Sequence, residues 1–123
     1  MFNESLSVIK LKNILLVTVP DDPGDDMIYE LQNKVLSAME KYESAGLILD
    51  ISSVNVMDSF FARTISETTQ MVTLMGGHTV VAGMQPGVAI TAAELGLHLG
   101  HALCALDVDC ALELLNHDLA TGV

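Results

Sequence analysis

The sequence predicts an α/β fold: a single domain over residues 1–123, with a mixed, mostly parallel β-sheet and about four helices in the order β-β-α-β-α-β-α-β-α. Three observations predict this class. Short apolar runs alternate with longer segments whose apolar residues recur at helical spacing. Several short runs are apolar at consecutive positions, the pattern of a strand covered on both faces. Glycine, proline and aspartate cluster between the segments, where tight connections need them. Alternating strands and helices imply right-handed crossovers and a parallel sheet, with an antiparallel strand supplied by an initial hairpin.

Ser7 to Leu11 and Asn13 to Val19 read as a hairpin or two consecutive strands, being short and rich in β-branched residues. Pro20-Asp-Asp-Pro-Gly24 is a turn cluster, and Asp25 or Asp26 can cap the helix that follows. There Ile28, Leu31, Val35, Ala38, Met39 and Tyr42 form the inner face, opposite Glu30, Lys34, Glu40 and Lys41. Gly46 is expected to close this helix in a left-handed conformation. Leu47-Ile-Leu-Asp-Ile51 is a buried strand, and Ser52-Ser53-Val54-Asn55 a polar turn. A second helix starts near Asp58 or Ser59, with Phe61, Ile65, Thr68, Val72 and Met75 inward, and stops at Gly76-Gly77. Thr79 to Gly83 is another buried strand. Pro86 suits the first turn of a third helix, which runs to Leu95 and is closed by Gly96. Ala102 to Leu106 is a short last strand, and Asp107 or Asp109 caps a final helix to Leu119.

Composition limits the function. Five basic residues face 16 acidic ones, a formal net charge of −11. Phosphate-rich nucleic acid and anionic membrane surfaces are thereby disfavoured as partners. Without Trp, and with two Tyr and three Phe, the chain has no platform for stacking bases. Residues 1–12 lack the basic start and apolar run of a signal peptide, and the longest stretch free of charged residues and histidine, Thr79 to Ala93, is broken by Gly83, Pro86 and Gly87. Cys104 and Cys110 do not make a disulfide framework, so a cytoplasmic location is expected.

Chemistry-bearing motifs are sparse. Neither G-x-x-x-x-G-K-[ST] nor G-x-G-x-x-G occurs, and Gly76-Gly77 precedes a strand rather than a helix. Ser59 lacks the flanking glycines of a nucleophile elbow, and none of His78, His98, His101 and His117 is near it in sequence. His98-x-x-His101-x-x-Cys104-x5-Cys110 carries zinc-ligand types at a poorly matching spacing. Leu99, Leu103, Leu106 and Val108 between them read as core, and Cys110 as a small apolar helix residue. No metal, no cofactor and no catalytic residue are therefore expected.

Two features stand out. Asp58-Ser59 meets a helix N-terminus just after a buried strand, so either side chain can cap. A phosphate on a serine there would meet free N–H groups and the positive end of the helix dipole. Ser52 and Ser53 have turn duties, while Thr64, Ser66 and Thr69 follow within the helix and are poorer phosphoacceptors. The third helix is apolar all round from Val88 to Leu97 apart from Thr91 and Glu94, so its outer face is either sunk beneath loops or covered by a partner protein.

Leu47-Ile-Leu-Asp-Ile51, the polar turn, Met57-Asp58-Ser59 opening a helix and Ala82-Gly83-Met84-Gln85-Pro86 before another resemble the STAS domain. That is the fold of anti-sigma factor antagonists and of the cytoplasmic tails of sulfate transporters, and the likeness covers essentially the whole chain. Asp58-Ser59 looks like the antagonists' phosphoacceptor site, which implies that Ser59 accepts phosphate. The resemblance departs from simple antagonists at Phe60-Phe61, where those have a small residue and Gly. With Leu74-Met75-Gly76 and Gln85-Pro86-Gly87-Val88-Ala89, the sequence is similar to the RsbS-type one-domain scaffolds of the bacterial stressosome. This implies a non-catalytic, cytoplasmic scaffold that dimerises within a large hetero-oligomer beside STAS-containing sensor proteins. It also implies a serine/threonine switch kinase, sequestered until scaffold serines are phosphorylated, and a phosphoserine phosphatase. Asp58 and Phe60 are the candidate partner contacts, with a core position as the alternative for Phe60. The alternative function is a simple antagonist that binds an anti-sigma factor kinase directly, against which the bulky Phe60-Phe61 pair counts.

Overall fold

The computed structural model describes residues 6–96 and 102–120. Its elements are β1 (Ser7–Leu11), β2 (Ile14–Thr18), α1 (Asp25–Tyr42), β3 (Gly46–Asp50), α2 (Ser59–Leu74), β4 (His78–Ala82), α3 (Pro86–Glu94), β5 (Leu103–Ala105) and α4 (Val108–Ala120), the predicted order. One five-stranded sheet runs β1-β2-β3-β4-β5. The initial hairpin makes β1 antiparallel to β2, with Leu11 opposite Ile14, and all other pairs are parallel. Thr18, Asp50 and Ala82 lie side by side in the ladder, so β2, β3 and β4 end level with one another. Loops from that edge carry the candidate site.

Strand side chains alternate between two cores, as a period of two requires. Leu15, Val17, Leu47, Leu49 and Val81 face α1, α2 and α3, where Ile28, Leu31, Val35, Phe61, Ile65, Val72 and Val88 complete the larger core. Ile14, Ile48, Val80 and Ala82 face the other way and are covered by Ala111 and Leu115 of α4. Each buried aliphatic or aromatic side chain contributes about 1.5–3 kcal/mol by leaving water. The continuous apolar runs thus reflect a sheet with helices on both sides.

Several local expectations are corrected. Gly46 does not cap α1; Glu43 takes the left-handed turn, with φ of 50°. Gly46 instead opens β3, where a Cβ would lie 3.2 Å from both Ile14 Cγ1 and Leu115 Cδ1, so its small size serves packing beneath α4. Gly24, not Asp25 or Asp26, occupies the N-cap of α1, and both aspartates sit in the first turn, where they complement the helix dipole. Tyr42 and Met75 are exposed because each lies where its helix ends and the chain turns from the core. Leu103 and Leu106 are also exposed: β5 is a three-residue edge strand, and α4 covers the sheet through Ala111 and Leu115, with Val108, Leu112 and Leu114 packed beside them. Leu99 lies outside the described residues. On α3 only Val88 and Ala92 are buried, whereas Ile90 is 61% exposed, so the helix is not sunk beneath loops. Among the described residues no helix is long and apolar enough to cross a membrane.

Candidate functional site

The segment from Asp50 to Asp58 is pinned at both ends and in the middle. Backbone hydrogen bonds Val19 N to Asp50 O and Ile51 N to Ala82 O, each 3.0 Å, extend the parallel ladder to the strand ends. Asp50 Oδ1 then accepts from Ser52 N at 3.0 Å, turning the chain over the sheet edge. Ile51, Val54 and Met57 are buried, while Ser52, Ser53, Asn55 and Val56 face solvent. The loop is therefore an exposed surface on three apolar anchors. A neighbouring loop braces it: Gln85 Nε2 donates to Ser52 O at 2.8 Å, and Gly83 passes directly against Ser52.

Asp58 caps α2. Its Oδ1 accepts from Phe61 N at 2.9 Å, satisfying one of the amides that the first helical turn leaves without an intrahelical acceptor. Of the two caps open in the sequence, aspartate takes the role, which frees the adjacent hydroxyl. Ser59 is the first residue of α2 and is exposed. Phe61 is fully in the core, and Phe60 is half-buried with its ring packed on the same core. The structure therefore brings Asp58 and Ser59 together on the surface and turns much of Phe60 inward.

The other hydroxyls named in the sequence differ in burial. Thr64 is buried and its Oγ1 donates to Phe60 O at 2.9 Å. Thr69 is fully buried. Ser66 is half-buried. Ser52 and Ser53 are exposed in the braced turn.

A shallow groove of about 370 Å³ runs along α2 from Ser59, past Arg63, Ser66 and Glu67, to Leu95 at the end of α3. Arg63 was not singled out in the sequence, although its spacing from Ser59 held the signal: residues four apart share a helix face. It is the chain's one arginine and is exposed. On the other flank, Asp22 and Asp58 line a cleft of about 100 Å³ with Val56 and Phe61. Ser59 thus stands between a guanidinium on its own helix and a carboxylate-bearing rim.

Neither of the two described histidines, His78 and His117, lies at the Ser59 loop. His78 opens β4 at the opposite end of the strand from the Ser59 loop, and His117 lies in the last turn of α4, across the sheet. His98 and His101 lie outside the described residues. Among the described residues no group of three His, Cys, Asp or Glu side chains is placed to hold a metal ion. Cys104 and Cys110 are free and exposed, and Cys110 lies within α4 as expected. Asp107, not Asp109, caps α4, with Oδ1 accepting from Cys110 N at 2.9 Å. Its hydrogen bonds with the Cys110 backbone and side chain hold the Asp107 carboxyl below its ordinary range. The same carboxylate pushes the Cys110 thiol up, and loss of hydration around its sulfur pushes Cys104 up although the residue is exposed.

Comparison with known proteins agrees with this architecture. A serine-to-glutamate variant of RsbS from Moorella thermoacetica superposes with a TM-score of 0.84 at 28% identity, covering 96% of this chain and 99% of that one. A chain of the stressosome, described as a signal integration and transduction hub, superposes with a TM-score of 0.81 at 30% identity, covering 93% and 98%. The RsbT co-antagonist protein RsbRA of Bacillus subtilis (strain 168) is 25% identical over 92 residues, which are 75% of this chain and 34% of that protein. This chain therefore spans about a third of that curated relative. The model of the STAS domain matches residues 9–105, from the first strand through the Ser59 loop to the last strand, and the chain belongs to the STAS-domain family.

Proposed function

We propose that residues 1–123 act as one STAS unit, a non-catalytic cytoplasmic scaffold of a bacterial stressosome. In this reading the chain co-assembles with STAS-containing sensor proteins, self-associates as a dimer within that particle, and sequesters a serine/threonine switch kinase. Phosphorylation of Ser59 releases the kinase, and a phosphoserine phosphatase resets the scaffold. The observation that carries the reading is the exposed hydroxyl of Ser59 at the first position of α2, on a loop braced from below. Similarity to RsbS and to a stressosome chain supports the assembly.

The physics of release follows from charge. A phosphate adds about −1.5 to −2 charges at neutral pH. Two unit charges ~6 Å apart at an effective dielectric of ~20 interact by roughly 3 kcal/mol, before further screening at an exposed site. A surviving penalty of about 1.4–3 kcal/mol weakens a bound partner roughly tenfold to a hundredfold. Asp58 and Asp22 add to the negative rim that a partner meets. Meanwhile the helix end and Arg63 accommodate the phosphate on the scaffold's side. The surface becomes more negative while the fold stays intact.

Mass-spectrometric mapping of phosphosites after incubation with the sensor proteins, kinase and ATP tests this directly. Label is expected on Ser59 and lost in Ser59→Ala; undiminished labelling of that variant moves the acceptor elsewhere.

A further inference from the structure

The basic residues of this acidic chain are not scattered. Three of its five, Lys10, Lys34 and Lys41, line one groove of about 460 Å³ between β1 and the second half of α1. Val8, Ala38 and Tyr42 form its apolar floor, Asn33 and Ser37 add neutral polar groups, and among the described residues no carboxylate lines it. In a chain with 16 acidic residues that exclusion makes a local positive field against the overall charge. Lys10 and Lys41 stand 5.8 and 5.2 Å from the Tyr42 ring centroid, which gathers them at one end. Lys34 lies two helical turns back, roughly 10 Å along the axis.

Helix-dipole complementarity explains Lys41, in the last turn of α1, but neither mid-helix Lys34 nor Lys10, which lies on a strand. Lys34 is 3.7 Å from Glu30 in an exposed pair, a geometry worth little. The groove also lacks what a compact anion site uses. Its charges are flexible ammonium groups on an open rim, with no arginine fork. Such a groove suits several carboxylates spaced along a segment of protein.

The matching surface lies at the other end of the same helix. Asp21, Asp22, Asp25 and Asp26 are all exposed, in the Pro-rich turn and first turn of α1. We infer that the lysine groove of one copy receives the Asp21–Asp26 turn of a second copy, in a head-to-tail contact. The groove and the turn are different surfaces, so each copy keeps one of each free and the contact can propagate or close into a ring. This goes beyond the proposed switch and does not depend on Ser59 being the acceptor.

Sedimentation velocity of the full chain over a concentration series tests it, with two charge-reversed variants at exposed positions. The native chain is expected to self-associate. Lys34→Glu/Lys41→Glu and Asp21→Lys/Asp22→Lys are each expected to weaken that association about tenfold or more when alone. A 1:1 mixture of the two regains it, because each reversed surface then finds a complementary one. The Asp21→Lys/Asp22→Lys variant separates the contact from net charge: it is less negative than the native −11, so relief of general repulsion would strengthen association rather than weaken it. Thermal melts establish that both variants are folded. A native chain that stays monomeric throughout, variants that associate like it, or a mixture that does not recover would each overturn the inference. Capture by the groove of an acidic peptide from another protein, without self-association, would do the same.

Discussion

Gly83 passes so close to Ser52 that a Cβ on the glycine would lie 2.7 Å from the serine Cβ and 3.1 Å from its Cα. Gly83 also has φ of 79°, a conformation that costs an L side chain strain. The contact, with the Gln85–Ser52 hydrogen bond, sets the height of the loop that delivers Ser59. Gly83→Ala is expected to lower stability by about 1–3 kcal/mol through clash and strain together. Gly87→Ala is the control, because nothing lies within 4 Å of a Cβ there and its φ is not positive; thermal or urea melts distinguish the two.

Asp58 does two jobs that substitution can separate. Asp58→Ala removes the cap on Phe61 N and is expected to cost about 1 kcal/mol. Asp58→Asn keeps an acceptor oxygen at the cap and removes the charge, so its melting midpoint should stay near the native one. A change in kinase capture by Asp58→Asn would then report on the charged rim, not on the helix.

Phe60 and Phe61 differ in the same way. Phe61→Ala empties a core position that is 1% exposed and should cost about 3–5 kcal/mol. Phe60 is half-buried, so its truncation should cost clearly less in a denaturant titration. If its outer edge contacts the kinase, Phe60→Ala weakens capture while the scaffold stays folded.

The cap at the start of α4 gives a pH prediction. Asp107 has its carboxyl held below the ordinary range by hydrogen bonds from Cys110. A carboxyl depressed in the folded state contributes stability that is present above its unfolded pKa and lost as pH falls through the folded one. Asp107→Asn should therefore flatten the acid limb of the stability profile below about pH 4. The same substitution weakens the hydrogen bond and removes the charge by which Asp107 raises the Cys110 thiol, so Cys110 should be alkylated faster at neutral pH in the variant.

Periodicity made the architecture legible. Alternation in Ile14 to Thr18 and Leu47 to Leu49 distributes side chains to two cores, and helical spacing located α1 and α2. What it missed lies where contacts between elements, not local pattern, decide. Gly46 looks like a helix stop but answers to Ile14 and Leu115 across the sheet. Tyr42 and Met75 fit an apolar stripe, yet their helices end beneath them. Leu103 and Leu106 are as apolar as any core residue, and only the short edge strand leaves them exposed. At the site, Asp58 and Ser59 were readable from the capping pattern. Arg63 was readable only from the helix face it shares with Ser59, and the bracing of Ser52 by Gly83 and Gln85 joins loops more than 30 residues apart.

The most direct measurement is retention of the switch kinase on the assembled scaffold, before and after stoichiometric phosphorylation of Ser59, followed by size-exclusion chromatography. The account predicts a particle that keeps its size while kinase affinity falls roughly tenfold to a hundredfold, and no such fall in Ser59→Ala treated identically. Kinase that stays bound to fully phosphorylated scaffold would contradict it.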